Sequence, residues 1–139
     1  MVLHNKDIFV DTSFFKALVD EEDEFHKRAD EIWQRLRENH TQLITSNFIL
    51  DELLTVVRIK CKLTKALGVR ELIAETAPEL KIIRTIVIDE KKAWEWFPKP
   101  WKGLSFTDCV SFAQMKRLGI TRVATFDHHF TEAGFEVEK

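Results

Sequence analysis

The sequence contains few of the residues that interrupt regular structure. Its 139 residues include four glycines and three prolines, and it has no repeats and no low-complexity tract. So few turn formers leave no segment with the composition of a linker, which argues against several independent modules. We therefore expect one domain over residues 1–139, long enough to bury a core without disulfides or a structural metal.

Cysteine, long apolar runs and excess charge are also scarce. The two cysteines, Cys61 and Cys109, lack CxxC spacing and are predicted to be buried free thiols, which favours a cytoplasmic protein. The first residues lack a basic segment followed by an apolar run, and no apolar run approaches the roughly 18 residues of a spanning helix, so neither secretion nor membrane insertion is expected. The net charge of −2 means that any attraction to nucleic acid must be local.

Short β-branched runs alternate with longer segments of helical periodicity. The predicted strands are residues 8–10, 43–44, 82–88, 122–125 and 135–137. Two of the predicted helices are residues 47–62 and Phe106–Leu118, the second ending at Gly119 as a C-cap. This alternation predicts an α/β fold with a parallel sheet of four to five strands and helices on both faces. Active sites in such sheets lie at the carboxyl ends of the strands.

Two aspartates follow the ends of predicted strands. Asp11 comes after the first strand and Asp127 after the fourth. If these strands are neighbours, the two carboxylates converge on one crevice. Each aspartate taken singly is equally well explained as the cap of the helix or turn that follows.

Glu52 falls outside the polar stripe of its predicted helix. That stripe consists of Asp51, Thr55, Arg58 and Lys62. By helical spacing, Glu52 shares a face with apolar residues, namely Phe48, Ile49, Val56 and Ile59. An ionised carboxylate on an apolar face is costly unless it is paired or binds a cation, so we predict that Glu52 belongs to a site. The alternative is an edge residue whose carboxylate reaches water.

Asp108 lies three residues after Ser105, at the predicted start of a helix. The two residues match a capping box, which explains the acid without any catalytic role. The first turn of a helix is also a position from which an acid can point into a shared cleft. The residues alone leave both roles open.

Four acids without a cluster of histidine or cysteine predict a hard divalent cation. Mg²⁺ and Mn²⁺ prefer oxygen ligands, and such ions activate water and stabilise the leaving oxygen of a phosphodiester. Zinc is not expected, since no two histidines are three or four residues apart. The histidines are His4, His26, His40, His128 and His129. His128 and His129 are predicted to be surface residues of a turn.

Four segments in order resemble the motifs of the PIN-domain nucleases, particularly the VapC-like toxins. They are FVDTSFF, SNFILDELL, LSFTDCVSFAQMKRLG and VATFDHHF. The resemblance spans residues 8 to 137 and implies a sheet whose first and fourth strands are adjacent. It also implies a metal-dependent ribonuclease in which four acids surround Mg²⁺ or Mn²⁺: Asp11, Glu52, Asp108 and Asp127.

The resemblance carries further implications. Family members often have Thr or Ser after the first aspartate and before the last, and here Thr12, Ser13 and Thr125 hold those places and are expected to orient carboxylates or waters. Phe126 stands where many members have arginine, so no cationic role is assigned there. Toxins of this family typically form homodimers and pair with a small antitoxin that blocks the site.

Residues 58–70 carry five basic side chains and no acid. Arg58, Lys62 and Lys65 are predicted to hold the phosphate backbone of RNA beside the acidic cleft. The alternative is an ordinary solvated helix face.

Two other functions compete with the nuclease. A haloacid-dehalogenase-like phosphatase would use the first-strand aspartate as nucleophile, but it needs a second acid where this chain has Ser13. A non-catalytic PIN-like RNA-binding module would not need the complete set of four acids. Within the nuclease hypothesis, a toxin and a housekeeping RNA-processing enzyme both fit the sequence.

Overall fold

The computed structural model describes residues 6–139, so that His4 and the start of the amino-terminal segment lie outside the described part of the chain. The strands are β1 (Ile8–Val10), β2 (Leu43–Ser46), β3 (Leu80–Ile83), β4 (Arg122–Ala124) and β5 (Glu136–Val137). The helices are α1 (Thr12–Val19), α2 (His26–Glu38), α3 (Asn47–Lys60), α4 (Leu63–Thr76), α5 (Val87–Ala93), α6 (Phe106–Leu118) and α7 (His129–Glu132). The predicted α/β class is confirmed.

All five strands form one parallel sheet in the order β3-β2-β1-β4-β5. β1 is central and buried along its whole length, as expected of a strand covered on both faces. The strand order reverses between β1 and β4, which makes their carboxyl ends the topological switch point where ligands bind in such sheets. The adjacency of the first and fourth strands is therefore confirmed.

The predicted third strand is wrong in its second half. β3 ends at Ile83, and α5 begins at Val87. The carboxylate of Asp89 accepts a hydrogen bond from the backbone N–H of Ile86 (3.0 Å) and caps the start of α5. Arg117 on α6 holds the same carboxylate through two further bonds of 2.6 and 3.0 Å. The capping carboxylate of Asp89, held in place by Arg117, thus starts a helix where the β-branched residues alone favour a strand.

Helix α6 is the most deeply buried helix of the fold, and its residues from Asp108 to Met115 are all buried. Ser105 caps its start, and Gly119 caps its end in the left-handed conformation with φ of 72°, as predicted. The first turn of α6 consequently brings Asp108 into the interior. Cys109 on the same helix is buried and free, while the free Cys61 is only partly buried.

None of the helices within residues 6–139 has both the length and the apolar character needed to cross a membrane. Some helices pack against the sheet, as α3 does on β2, and others pack on neighbouring helices, as α5 does on α6. A continuous apolar core surrounds β1, and its largest fully buried side chains include Phe9, Phe14, Phe15, Phe112 and Phe130.

Breaking the pair between Asp89 and Arg117 is expected to destabilise the protein strongly. Asp89 is 1% exposed, so Arg117→Ala leaves a buried carboxylate without its cationic partner. We expect a loss of about 3–5 kcal/mol in the free energy of unfolding, measured by chemical denaturation. The control Lys92→Ala removes an exposed ion pair with Glu95 and should cost less than about 1 kcal/mol. Equal losses would contradict a structural role for the buried pair.

Candidate active site

Asp11 is the buried anchor of a site at the carboxyl end of β1. It caps α1, and its Oδ2 accepts hydrogen bonds from Ser13 N (3.4 Å), Ser13 Oγ (2.9 Å) and Thr125 Oγ1 (2.8 Å). Its other oxygen, Oδ1, is buried without a hydrogen-bond partner. Burial raises the pKa of Asp11 to about 6; bonds from Thr125 and Ser13 oppose this rise, and the charges of Asp127 and Glu52 add to it.

Two of the three predicted supporting residues contact the site. The hydroxyl of Thr125 donates to Asp11 and accepts the backbone N–H of Asp127 (3.0 Å), so it joins the ends of β1 and β4. The hydroxyl of Ser13 donates to Asp11 and accepts the backbone N–H of Phe126 (2.9 Å). The hydroxyl of Thr12 is buried without a hydrogen-bond partner, so its predicted role in orienting a carboxylate or a water stays a prediction.

Removing the Thr125 hydroxyl is expected to weaken metal binding while leaving the fold intact. Thr125→Val has nearly the same shape but cannot hold Asp11 or the backbone of Asp127. We expect a loss of roughly 10–100-fold in Mn²⁺ affinity, the usual cost of losing a partner that orients a ligand. Thr125→Ser keeps the hydroxyl and should restore most of the affinity, as measured by calorimetric titration. Wild-type affinity in Thr125→Val would remove Thr125 from the site.

Asp108 is both a helix cap and a member of the acid cluster. Its Oδ2 accepts the backbone N–H of Ser105 (3.1 Å), and the hydroxyl of Ser105 accepts the backbone N–H of Asp108 (3.0 Å). Burial, followed by the charge of Asp11, raises the pKa of Asp108 to about 7; the Ser105 N–H opposes this rise, and Asp127 and Glu52 add to it. The capping box that the sequence predicted is therefore present, and the charges of the other three acids act on Asp108; its role in catalysis stays a prediction.

Glu52 lies at the border of the buried face of α3. The buried residues of this helix are Ile49, Leu53 and Val57. Ile59, which the helical spacing placed beside Glu52, is 77% exposed, so that part of the predicted apolar face is wrong. Glu52 is nevertheless near enough for its charge to raise the pKa values of Asp11 and Asp108, whereas its neighbour Asp51 is exposed.

Asp127 follows β4 and is the most accessible aspartate of the cluster, with its side chain 24% exposed. Its Oδ1 accepts the backbone N–H of His129 (2.9 Å), which turns the chain into α7. This turn brings His129 to the site, a residue that the sequence analysis did not assign to it.

His129 is buried against the acids, and its prediction as a surface residue is wrong. Its side chain is 5% exposed, and its Nδ1 lies 2.7 Å from Asp127 Oδ1 and 3.8 Å from Asp108 Oδ2. Its Nε2 lies 2.8 Å from the carbonyl oxygen of Lys102, and the ring of Trp101 stacks on it with centroids 6.5 Å apart. His128 is 71% exposed, as predicted. The sequence offered one indication of this position: His129 comes two residues after Asp127, and an aspartate often accepts a hydrogen bond from the backbone N–H two residues later and so forms a turn.

Several features of the site fit a divalent cation. The orphaned Asp11 Oδ1 and the raised pKa values of Asp11 and Asp108 show acids whose ionisation a nearby positive charge would favour. Within residues 6–139, the one group that brings three ligand atoms within 4.8 Å of one another is Asp127, His128 and His129. The charges of Asp127 and Glu52 act on both Asp11 and Asp108, but among the described residues no three of the four acids bring ligand atoms within 4.8 Å of one another. The carboxylates and the neighbouring imidazoles offer ligand atoms for a divalent cation.

The predicted RNA-binding residues lie at the end of α3 and in the part of the chain that follows it. Arg58 is six residues beyond Glu52, about 9 Å further along α3. Arg58 and Lys62 are exposed, but Lys65 lies 3.7 Å from Glu21. The charge of Lys65 is therefore partly neutralised by Glu21, which lies in the loop after α1.

Comparisons with known proteins agree with this architecture. The PIN domain family matches residues 8–136. The 23S rRNA-specific endonuclease VapC20 of Mycobacterium tuberculosis, from two strains, is 35% identical over 133 residues, which cover 92% of this chain and 95% of the relative. The crystal structure of M. tuberculosis VapC20, described as a sarcin–ricin loop cleaving toxin, has a TM-score of 0.78 at 32% identity, covering 92% of this chain and 95% of that chain.

A more distant structure shares the fold alone. FitAcB from Neisseria gonorrhoeae has a TM-score of 0.67 at 17% identity, covering 95% of this chain and 96% of that chain. The family match extends over nearly all of the described residues and includes the strands that carry Asp11 and Asp127. The chain therefore belongs to the PIN-domain family, as a VapC-like member of it.

Proposed function

We propose that this protein is a metal-dependent endoribonuclease of the VapC toxin type that hydrolyses RNA phosphodiester bonds. The observation that carries the proposal is the acid cluster at the topological switch point, where burial and mutual repulsion raise the pKa values of Asp11 and Asp108. The similarity to VapC20, a 23S rRNA-specific endonuclease, supports RNA as the substrate and a ribosomal RNA loop as its type.

Each acid has a distinct place in the proposed site. Asp11, Glu52, Asp108 and Asp127 would hold Mg²⁺ or Mn²⁺. The bound ion would supply an activated water and a positive charge for the leaving oxygen. Ser13 and Thr125 fix the orientation of Asp11, and the backbone of Ser105 fixes that of Asp108. Because these partners are already in place, the carboxylates need little reordering when metal and substrate bind.

A cognate antitoxin and a homodimer are part of the same proposal. Apolar side chains are exposed along α3 and α4, namely Leu54, Ile59, Leu63 and Leu67. Helices α3 and α4 pack against each other, and their exposed apolar side chains are the surface that we propose for a protein partner. Arg58, Lys62 and Lys65 remain proposed contacts for the RNA backbone, and an RNA substrate of ribosomal type is consistent with a cytoplasmic location.

The purified protein is expected to cleave RNA only when Mg²⁺ or Mn²⁺ is present. The substrate for the test is a ribosomal RNA stem-loop, compared with a fully paired duplex of the same length. EDTA should abolish cleavage and added Mg²⁺ should restore it, because oxygen ligands select such ions.

The control for this experiment is Asp11→Asn, purified in the same way, which must be inactive if cleavage arises from this site. Cleavage that persists after exhaustive chelation, or in the Asp11→Asn protein, would overturn the proposed function.

A further inference from the structure

The ring of His129 presents one nitrogen to the acid cluster. A backbone carbonyl oxygen only accepts hydrogen bonds, so the 2.8 Å contact with Lys102 O requires the proton on Nε2. In the neutral ring Nδ1 then carries a lone pair. This atom is buried and makes no hydrogen bond of acceptable geometry, although it lies 2.7 Å from Asp127 Oδ1. A lone pair facing a carboxylate oxygen at this distance is repulsive, so either a proton on Nδ1, as in an ion pair with Asp127, or a bound cation has to lie between the two atoms.

We propose that Nδ1 of His129 binds the divalent cation directly, together with Asp127, so that the site contains a nitrogen ligand beside its carboxylates. This inference rests on the proposed metal-dependent function and specifies how its ion is held. It also sets the metal preference. An imidazole ligand favours Mn²⁺ and later transition metals over Mg²⁺ more than a set of oxygens alone does.

The spacing of the ligand atoms suits one ion. Metal–ligand bonds of about 2.1 Å place neighbouring ligands about 3 Å apart and opposite ligands about 4 Å apart. The nitrogen lies 2.7 Å from Asp127 Oδ1 and 3.8 Å from Asp108 Oδ2. Both separations fall near this range, so a single ion can contact Nδ1 and at least one of the two carboxylates.

The surroundings of His129 are also those of a metal ligand. Histidines that bind metals usually donate their other ring N–H to a carbonyl or carboxylate, which fixes the tautomer and the ring orientation. Lys102 O supplies this partner, and the stacked ring of Trp101 limits rotation. His128 provides a contrast, because it is 71% exposed and its nearest nitrogen lies 3.9 Å from the same Asp127 oxygen.

The test is electron spin echo spectroscopy of Mn²⁺ bound to the full-length protein, which detects a nitrogen nucleus in direct contact with the ion. We expect ¹⁴N coupling in the wild type and in His128→Asn. The coupling should change to that of ¹⁵N when the wild type is labelled with ¹⁵N-histidine, which requires no substitution at the buried position. His129→Asn should lose the coupling and bind Mn²⁺ at least tenfold more weakly, a typical cost of disturbing a metal site.

Two results would overturn the inference while leaving the nuclease site intact. The first is Mn²⁺ bound to the wild type without nitrogen coupling, which would describe an all-oxygen site with a protonated His129 beside it. The second is a coupling that disappears in His128→Asn and persists in His129→Asn. Absence of any Mn²⁺ binding to the wild type would instead contradict the proposed metal-dependent function itself, and the inference with it.

Discussion

Glu52→Gln is expected to lower the rate of RNA cleavage by roughly 100-fold or more, whereas Asp51→Asn should leave it within about twofold of the wild type. The two residues are adjacent on α3, and each substitution removes one negative charge with little change in shape. They differ in position. The charge of Glu52 acts on Asp11 and Asp108, while Asp51 faces solvent.

Single-turnover cleavage at saturating Mg²⁺ would measure this difference without interference from product release. A loss of metal affinity can be separated from a loss of rate by repeating the assay over a range of Mg²⁺ concentrations. If the two variants cleaved RNA at the same rate, Glu52 would contribute no more to cleavage than the exposed Asp51. Glu52 would then have to be removed from the proposed site.

Asp11→Asn is expected to abolish cleavage while stabilising the metal-free protein by on the order of 1 kcal/mol above neutral pH. Burial raises the pKa of Asp11 to about 6, which means that the fold disfavours its ionised form. Asparagine keeps an oxygen that can accept the bonds from Ser13 and Thr125, and it carries no charge. The variant therefore removes a negative charge that the other acids repel, and it retains the side-chain oxygen that caps α1.

The expected pH dependence follows from the direction of the pKa shifts. The pKa values of Asp11 and Asp108 in the folded protein, about 6 and about 7, exceed the ordinary value of 3.8, so the folded protein retains protons that the unfolded chain has released. The free energy of unfolding of the metal-free wild type should then fall as the pH rises from about 4 to about 7, and level off above. The advantage of Asp11→Asn should be absent near pH 4 and complete above about pH 6.

Thermal unfolding of the two proteins, in EDTA and in excess Mg²⁺, provides the measurement. A bound ion stabilises the folded state by mass action, so Mg²⁺ should raise the unfolding temperature of the wild type and affect the variant much less. Asp51→Asn serves as the control and should respond to Mg²⁺ as the wild type does. The same metal response in wild type and Asp11→Asn would mean that Asp11 does not share an ion with the other acids.

Much of this architecture is readable from the sequence because local signals agree with the global fold. The alternation of short β-branched runs with longer segments of helical periodicity is sufficient to predict a parallel sheet. An aspartate that follows such a strand within a few residues lies near its carboxyl end, so the positions of Asp11 and Asp127 follow from the order of elements. The capping of α6 by Ser105, Asp108 and Gly119 is equally local, because each bond joins residues close in sequence.

Other features depended on contacts between residues far apart in the chain. The start of α5 is determined by Arg117, 28 residues beyond the Asp89 that it holds, so the β-branched run alone was misleading. Glu52 reaches the acids from the edge of a helix whose rotation is set by packing against the sheet. The bond between Thr125 and Asp11 joins residues 114 positions apart.

His129 shows most clearly what only the tertiary structure decided. Its sequence context, two adjacent histidines after an aspartate, is typical of a solvent-exposed turn, and His128 behaves accordingly. The ring of His129 is buried because Trp101 stacks on it and the carbonyl of Lys102 holds its Nε2, and both residues belong to a distant loop. The sequence alone determined which strands Asp11 and Asp127 follow. The folded chain decided that the imidazole of His129 lies beside them, because its contacts with Trp101 and Lys102 exist only after their loop has packed against α7.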